Sequence, residues 1–183
     1  PARREAMLAP PTGRVDVVID TDLTNEIDDE FALVWALLSP ERLHIEAVYA
    51  APNGYSAELL ATGTSELDAR ILLGQLDALG LTVDDVPVKH PSLGMRNAFR
   101  RAEEILGLMG SDVPAFRGSP TYLPDGSTPV ESDAATDLVA RARAEREGPL
   151  YVVSLGAITN VASALLMAPD IVDEIVVVWT SAY

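Results

Sequence analysis

The chain has no cysteine in its 183 residues. That excludes disulfides, thiolate nucleophiles and cysteine-ligated zinc. Positive charge is scarce as well. Thirteen Lys and Arg stand against 28 Asp and Glu, for a formal net charge of −15. So acidic a surface argues against a nucleic-acid backbone or an anionic membrane as partner and suits cation binding. No apolar run approaches the roughly 20 residues of a membrane span. The opening stretch PARREAMLAPPTGR is polar and Pro-rich and lacks the apolar core of a secretion signal. Residues 1–13 are therefore expected to be a disordered leader, and the protein cytoplasmic.

What the chain does have is apolar content, 48% of residues, enough for one sizeable core over residues 14–183. Strand and helix patterns alternate along it. Strands are expected at 15–20, 44–49, 86–89, 150–154 and 175–179. Helices are expected at 27–38, 56–79, 96–109, 132–146 and 159–167. Residues 111–131 are rich in Pro, Gly and Ser and read as a surface loop with a short extended piece near Ala115. This order predicts an α/β fold, an open and mainly parallel sheet with helices on both faces. Trp35 and Trp179 fit apolar periodicities and are expected in the core. The chain ends directly after an apolar strand, so the fold is expected to be only partly represented.

Residues 15–33, VDVVIDTDLTNEIDDEFAL, concentrate the chemistry. Val17, Val18 and Ile19 form a β-branched run that reads as a buried strand. Ile27, Phe31, Val34, Trp35 and Leu38 then recur at helical spacing. Asp20 and Asp22 thus sit at a strand's C-terminal end, and Asp28 and Asp29 at the next helix's start. Carboxylates this close repel unless protons or a cation lie among them, and hard oxygen ligands suit Ca²⁺ or Mg²⁺. In an open α/β sheet, ligands bind in the crevice beyond the strand ends. Taken singly, Asp28 could be a helix N-cap and Asp29 a favourable charge at the helix dipole. His44 and His90 read as surface or satisfied histidines, and Arg100-Arg101 with Glu103-Glu104 as a solvated helix face.

Asp20-Thr21-Asp22, followed by Asp28-Asp29 and Phe31-Ala32-Leu33, resembles the N-terminal signature of the inosine/uridine-preferring nucleoside hydrolase family. The wording Asn25-Glu26-Ile27-Asp28-Asp29 resembles one branch of it. Val152 to Ala162, VVSLGAITNVA, is similar to the family's Gly-x-x-Thr-Asn segment, and Asn53 stands where the family carries a ribose-binding Asn. The resemblance implies an enzyme that cleaves the N-glycosidic bond of ribonucleosides with bound Ca²⁺. It implies Asp22 as the general base and a calcium ligand, Asp29 as a bidentate calcium ligand, and Thr159 as a ligand through its backbone carbonyl. Asp28 and Asn53 would grip the ribose hydroxyls, and Asp20 would complete the metal end of the site from the strand. Such cleavage passes through an oxocarbenium-like state that carboxylates stabilise. A small-molecule ribonucleoside as partner and a homo-oligomeric state belong to the same expectation.

Three departures accompany it. The turn Leu23 to Ile27 is two residues longer than the family's common DTDPGxDD form. Later segments bearing a leaving-group His, a further calcium Asp and 5′-hydroxyl ligands are absent. The loop after Tyr122 reads LPDGSTPVES in place of His-Gly-x-x-Gly. Two rivals remain open at this stage. A haloacid-dehalogenase-type phosphotransferase would use Asp20 as nucleophile and Asp22 as acid/base, with Ser154 as its second motif, but Lys89 is the only lysine. A non-catalytic calcium- or sugar-binding module would keep the same fold.

Overall fold

The computed structural model describes residues 2–54, 77–80 and 90–180. Within the expected leader, a short helix, α1 (Ala2–Met7), is built from strong helix formers ahead of Pro10-Pro11. The regular fold starts at β1 (Val15–Thr21) and continues through α2 (Asp28–Leu37) and β2 (Leu43–Ala50). The expected strand at 86–89 and most of the expected helix at 56–79 lie outside the described residues. Of that stretch, residues 77–78 are helical, and at Gly80 φ is 69° and the N–H reaches the Asp77 carbonyl at 3.0 Å.

Beyond it come α3 (Pro91–Leu108), β3 (Ala115–Arg117), α4 (Asp133–Ala142), β4 (Leu150–Ser154), α5 (Thr159–Met167), a 3₁₀ turn (Pro169–Asp173) and β5 (Ile175–Trp179). α3 starts earlier than its periodicity suggests because Pro91 is well suited to a first helical turn. α4 is capped by Ser132, whose hydroxyl accepts from the Ala135 N–H at 3.1 Å.

The five strands among the described residues are all parallel, in the order β3-β2-β1-β4-β5. The chain runs outward from β1 to β3, then returns to the other side of β1 for β4 and β5. That reversal makes β1 the switch point of the sheet, where a crevice opens at the C-terminal strand ends. Two apolar clusters cover the two faces. On one, Val18, Tyr49 and Val152 pack with Leu138 of α4 and Val161 of α5. On the other, Val17, Ile19 and Val48 pack with Leu33 of α2 and Met95, Ala98 and Ile105 of α3. A bulge in β2 at Glu46 shifts the register between Val17 and Val18, so that Ile45 before it and Val48 after it face the same cluster.

The α2 face that packs inward is Asp29, Leu33 and Ala36. Ile27, Phe31, Trp35 and Leu38 form an outer stripe that is 64–75% exposed. Trp35 therefore does not lie in the core as its periodicity suggested, nor does Trp179, which is 47% exposed. The helix is apolar on more than one face, so spacing alone identifies the stripe without saying which side finds the sheet. Among the described residues no helix is long and apolar enough to cross a membrane.

Candidate active site

Asp22 leaves the sheet at the end of β1. Its carbonyl accepts from the Asn25 N–H at 3.0 Å and from Asn53 Nδ2 at 3.3 Å. Inside this tight turn Thr24 has φ 77°, a left-handed conformation that a β-branched residue adopts only under constraint. The strain falls within the longer turn that departs from the family wording.

α2 then opens with Ile27 as its N-cap, so Asp28 and Asp29 are its first helical residues and neither caps it. Asp28 is exposed and Asp29 buried. Thr21 faces away from Asp20 along β1, and its hydroxyl donates to Asp29 Oδ2 at 2.5 Å. Burial holds the Asp29 carboxyl above the ordinary range, and the charge of Asp28 adds to this. Hydrogen bonds from Thr21 and from the side chain and backbone of Asp22 oppose it. Asp22 and Asp29 thus face each other within hydrogen-bond reach.

Asp22, Asp28, Asp29, Asn53 and Thr159 line one cavity of about 730 Å³ at the C-terminal strand ends. The structure brings these five expected residues together and leaves Asp20 out. Asp20 lies two residues, about 7 Å, down the strand from Asp22 and is fully buried. Its oxygens accept from Asn160 Nδ2 at 2.8 Å and Ser154 Oγ at 3.1 Å. Burial raises its pKa to about 7 against those two hydrogen bonds. This arrangement suits a support beneath the site rather than a metal ligand. It also disfavours the phosphotransferase reading, because a sealed carboxyl cannot reach a phosphate.

Asn160 joins distant segments. Besides Asp20 it donates to the Ala50 carbonyl at 3.2 Å and accepts from the Ser119 N–H at 2.8 Å. Three glycines make room for these side chains. A Cβ at Gly156 would stand 2.7 Å from the Asp22 carboxyl. One at Gly118 would collide with the Ala50 carbonyl and stand 2.5 Å from Asn160 Nδ2, and one at Gly94 would collide with the Asn53 carbonyl and Oδ1.

Two aromatic residues that the motifs did not single out complete the walls, Tyr122 and Trp179. The Trp179 indole N–H donates to the Gly156 carbonyl at 3.0 Å. Its strand-end position was the one sequence signal that could have found it. Tyr122 had none, since it lies in an irregular loop far along the chain.

A second acidic group, Asp16, His44 and Glu46, has ligand atoms close enough to share a cation, but it sits at the opposite, N-terminal end of the strands. Arg146 already fills it, with Nη1 2.7 Å from Glu46 and 3.3 Å from Asp16. Arg141 adds a contact to Glu46 at 3.2 Å. A guanidinium in this position neutralises the carboxylates and opposes a metal ion, so the cleft is the better cation site. His44 is paired with Asp16 at 2.7 Å, in keeping with a satisfied surface histidine.

The family model described as inosine-uridine preferring nucleoside hydrolase matches residues 17–181. The chain is 34% identical over 150 residues to the pyrimidine-specific ribonucleoside hydrolase RihA of Escherichia coli O81 (strain ED1a), covering 81% of this chain and 42% of that protein. It therefore spans less than half the length of this curated relative. Among solved structures, a plant nucleoside hydrolase superposes with a TM-score of 0.54 at 21% identity, covering 94% of this chain and 49% of that one. A purine-preferring ribonucleoside hydrolase from Gardnerella vaginalis gives 0.53 at 20% identity, covering 92% and 49%. These two likenesses concern the fold. With the family model spanning nearly the whole described sheet, the chain belongs to the inosine-uridine preferring nucleoside hydrolase family.

Proposed function

We propose that this chain carries the metal and ribose end of a calcium-dependent ribonucleoside hydrolase. The observation that supports this most is the meeting of Asp22, Asp28, Asp29, Asn53 and Thr159 in one cleft at the sheet's switch point.

The donor set fits a hard cation. Asp22 and Asp29 face each other, and burial, with the charge of Asp28 added, makes the Asp29 carboxyl resist ionising. A divalent cation would offset both the desolvation and the like charge. Carboxylate and backbone carbonyl oxygens are what Ca²⁺ takes, in a flexible shell of roughly 6–8. Asp22, Asp29 and the Thr159 carbonyl would hold the ion, and substrate hydroxyls and water would supply further oxygens. Bound there, calcium would polarise a water and lower its pKa.

The residues divide the remaining work. Asp22, half-buried at the cleft wall, accepts the proton of the attacking water. Asp28, exposed at the mouth, and Asn53, buried beside Asp22, hold the ribose hydroxyls. The carboxylates around the sugar stabilise positive charge as the glycosidic bond to the base breaks. Asp20 backs the site from below, held by Ser154 and Asn160.

The test is reducing-sugar release from a panel of purine and pyrimidine ribonucleosides, with added calcium and again with a chelator. The expected result is ribose release that the chelator abolishes and calcium restores. Release that survives chelation would overturn the metal's role. No release from any ribonucleoside would overturn hydrolysis and favour a binding module.

A further inference from the structure

We propose that Tyr122 is a positioning residue for Asn53, acting as a two-sided clamp on the peptide that follows it. The proposal rests on the reading of Asn53 as a ribose ligand. The Tyr122 hydroxyl accepts from the Gly54 N–H at 3.0 Å and donates to the Gly54 carbonyl at 2.9 Å. One phenol thus takes both backbone groups of a single residue, as a neighbouring strand would. The partners are 68 positions apart in the chain.

The clamp matters because of what lies beside it. On the other side of Asn53, the Ala51 N–H is tied to the Thr21 carbonyl at 2.8 Å. Pro52 and Asn53 therefore span two anchors, β1 on one side and Tyr122 on the other. Glycine takes φ of either sign at little cost, so without the second anchor the Gly54 peptide can rotate and carry the Asn53 carboxamide with it. Its own contacts are weak. Nδ2 reaches the Asp22 carbonyl at only 3.3 Å. Oδ1 is buried with no donor among the described residues and abuts Gly94. Tyr122, Asn53, Gly54 and Asp22 all line the same cavity, so a shift of the Gly54 peptide would be felt where the sugar sits.

The experiment compares wild type with Tyr122→Phe, which keeps the ring and removes both hydrogen bonds. It has three readouts: amide hydrogen exchange at Gly54, D-ribose affinity by NMR titration, and steady-state kinetics on a ribonucleoside. The expected result is exchange at Gly54 faster by at least about tenfold. Ribose affinity should weaken and KM rise by about tenfold, with kcat within about twofold. Unchanged exchange would overturn the clamp. Faster exchange with unchanged ribose affinity and KM would overturn the positioning role, leaving a structural bond only. A wild type that binds ribose but hydrolyses no ribonucleoside would sink the hydrolase reading alone, and the clamp would then be decided by the ribose affinities. A wild type that does not bind ribose at all would overturn both.

Discussion

Gly156 and Asp22 are packed so closely that a Cβ on the glycine would stand 2.7 Å from the Asp22 carboxyl carbon. The loop after β4 thereby sets the position of a side chain at the end of β1. Gly156→Ala is expected to push the Asp22 carboxyl aside while leaving the sheet intact. Turnover should fall by about 100-fold, since misplacement of a reacting group by about 1 Å costs that much. The melting temperature should fall as well, because the new Cβ would also stand 3.0 Å from the Asp22 Cβ, which the backbone holds in place, while the unfolding transition stays cooperative. Kinetics and a melting curve on the same preparation check both halves.

Asp22→Asn removes the proposed base and one metal oxygen charge with almost no change in volume. Turnover is expected to drop by at least about 100-fold, and calcium affinity measured by calorimetry should weaken. A variant with full activity would remove Asp22 from the chemistry.

Asn160→Ala tests the support beneath the cleft. It leaves Asp20 Oδ1, the Ala50 carbonyl and the Ser119 N–H without their present partner in a buried setting. Each such group costs about 1–3 kcal/mol, so the variant should lose roughly 3 kcal/mol or more of stability in urea unfolding. A loss below about 1 kcal/mol would mean that water or relaxation replaces the bonds.

Asp125 gives a pH signature in the long loop before α4. It accepts from the N–H and hydroxyl of both Ser127 and Thr128 at 2.7–2.9 Å. Those bonds lower its pKa to about 2. A depressed carboxyl pKa favours the folded arrangement above the unfolded value near 4, and that contribution fades as pH falls toward 2. The Ser127 and Thr128 amide resonances should therefore shift between about pH 4 and 2. In Asp125→Ala the same resonances should lack that transition. An identical titration in both proteins would assign the shift elsewhere.

Much of this architecture was legible before any coordinates. The run Val17 to Ile19 reads as a buried strand, which puts the acidic pairs on either side of Leu23 to Ile27 at its end and at the next helix's start. The order of strands and helices implied a parallel sheet, because parallel neighbours need crossovers. Other features resisted such reading for identifiable reasons. In α2, Leu33 and Ala36 on one side and Phe31 and Trp35 on another both repeat at helical spacing, and nothing local tells which side meets the sheet. Asp20 and Asp22 are alike in type and only two residues apart. Only depth separates the carboxyl sealed by Asn160 and Ser154 from the one that opens on the cleft.

The sequence by itself therefore determined the kinds of elements, their order and the acidic chemistry at the end of β1, because periodicity and residue type are local properties. The tertiary structure decided which carboxylates face the cleft. It also decided that Asn160 would join three strands' ends, and that Tyr122 and Trp179 would wall a site assembled by residues far from them in the chain. Those outcomes depend on burial and on hydrogen-bond partners that the chain acquires only when the sheet closes around its switch point.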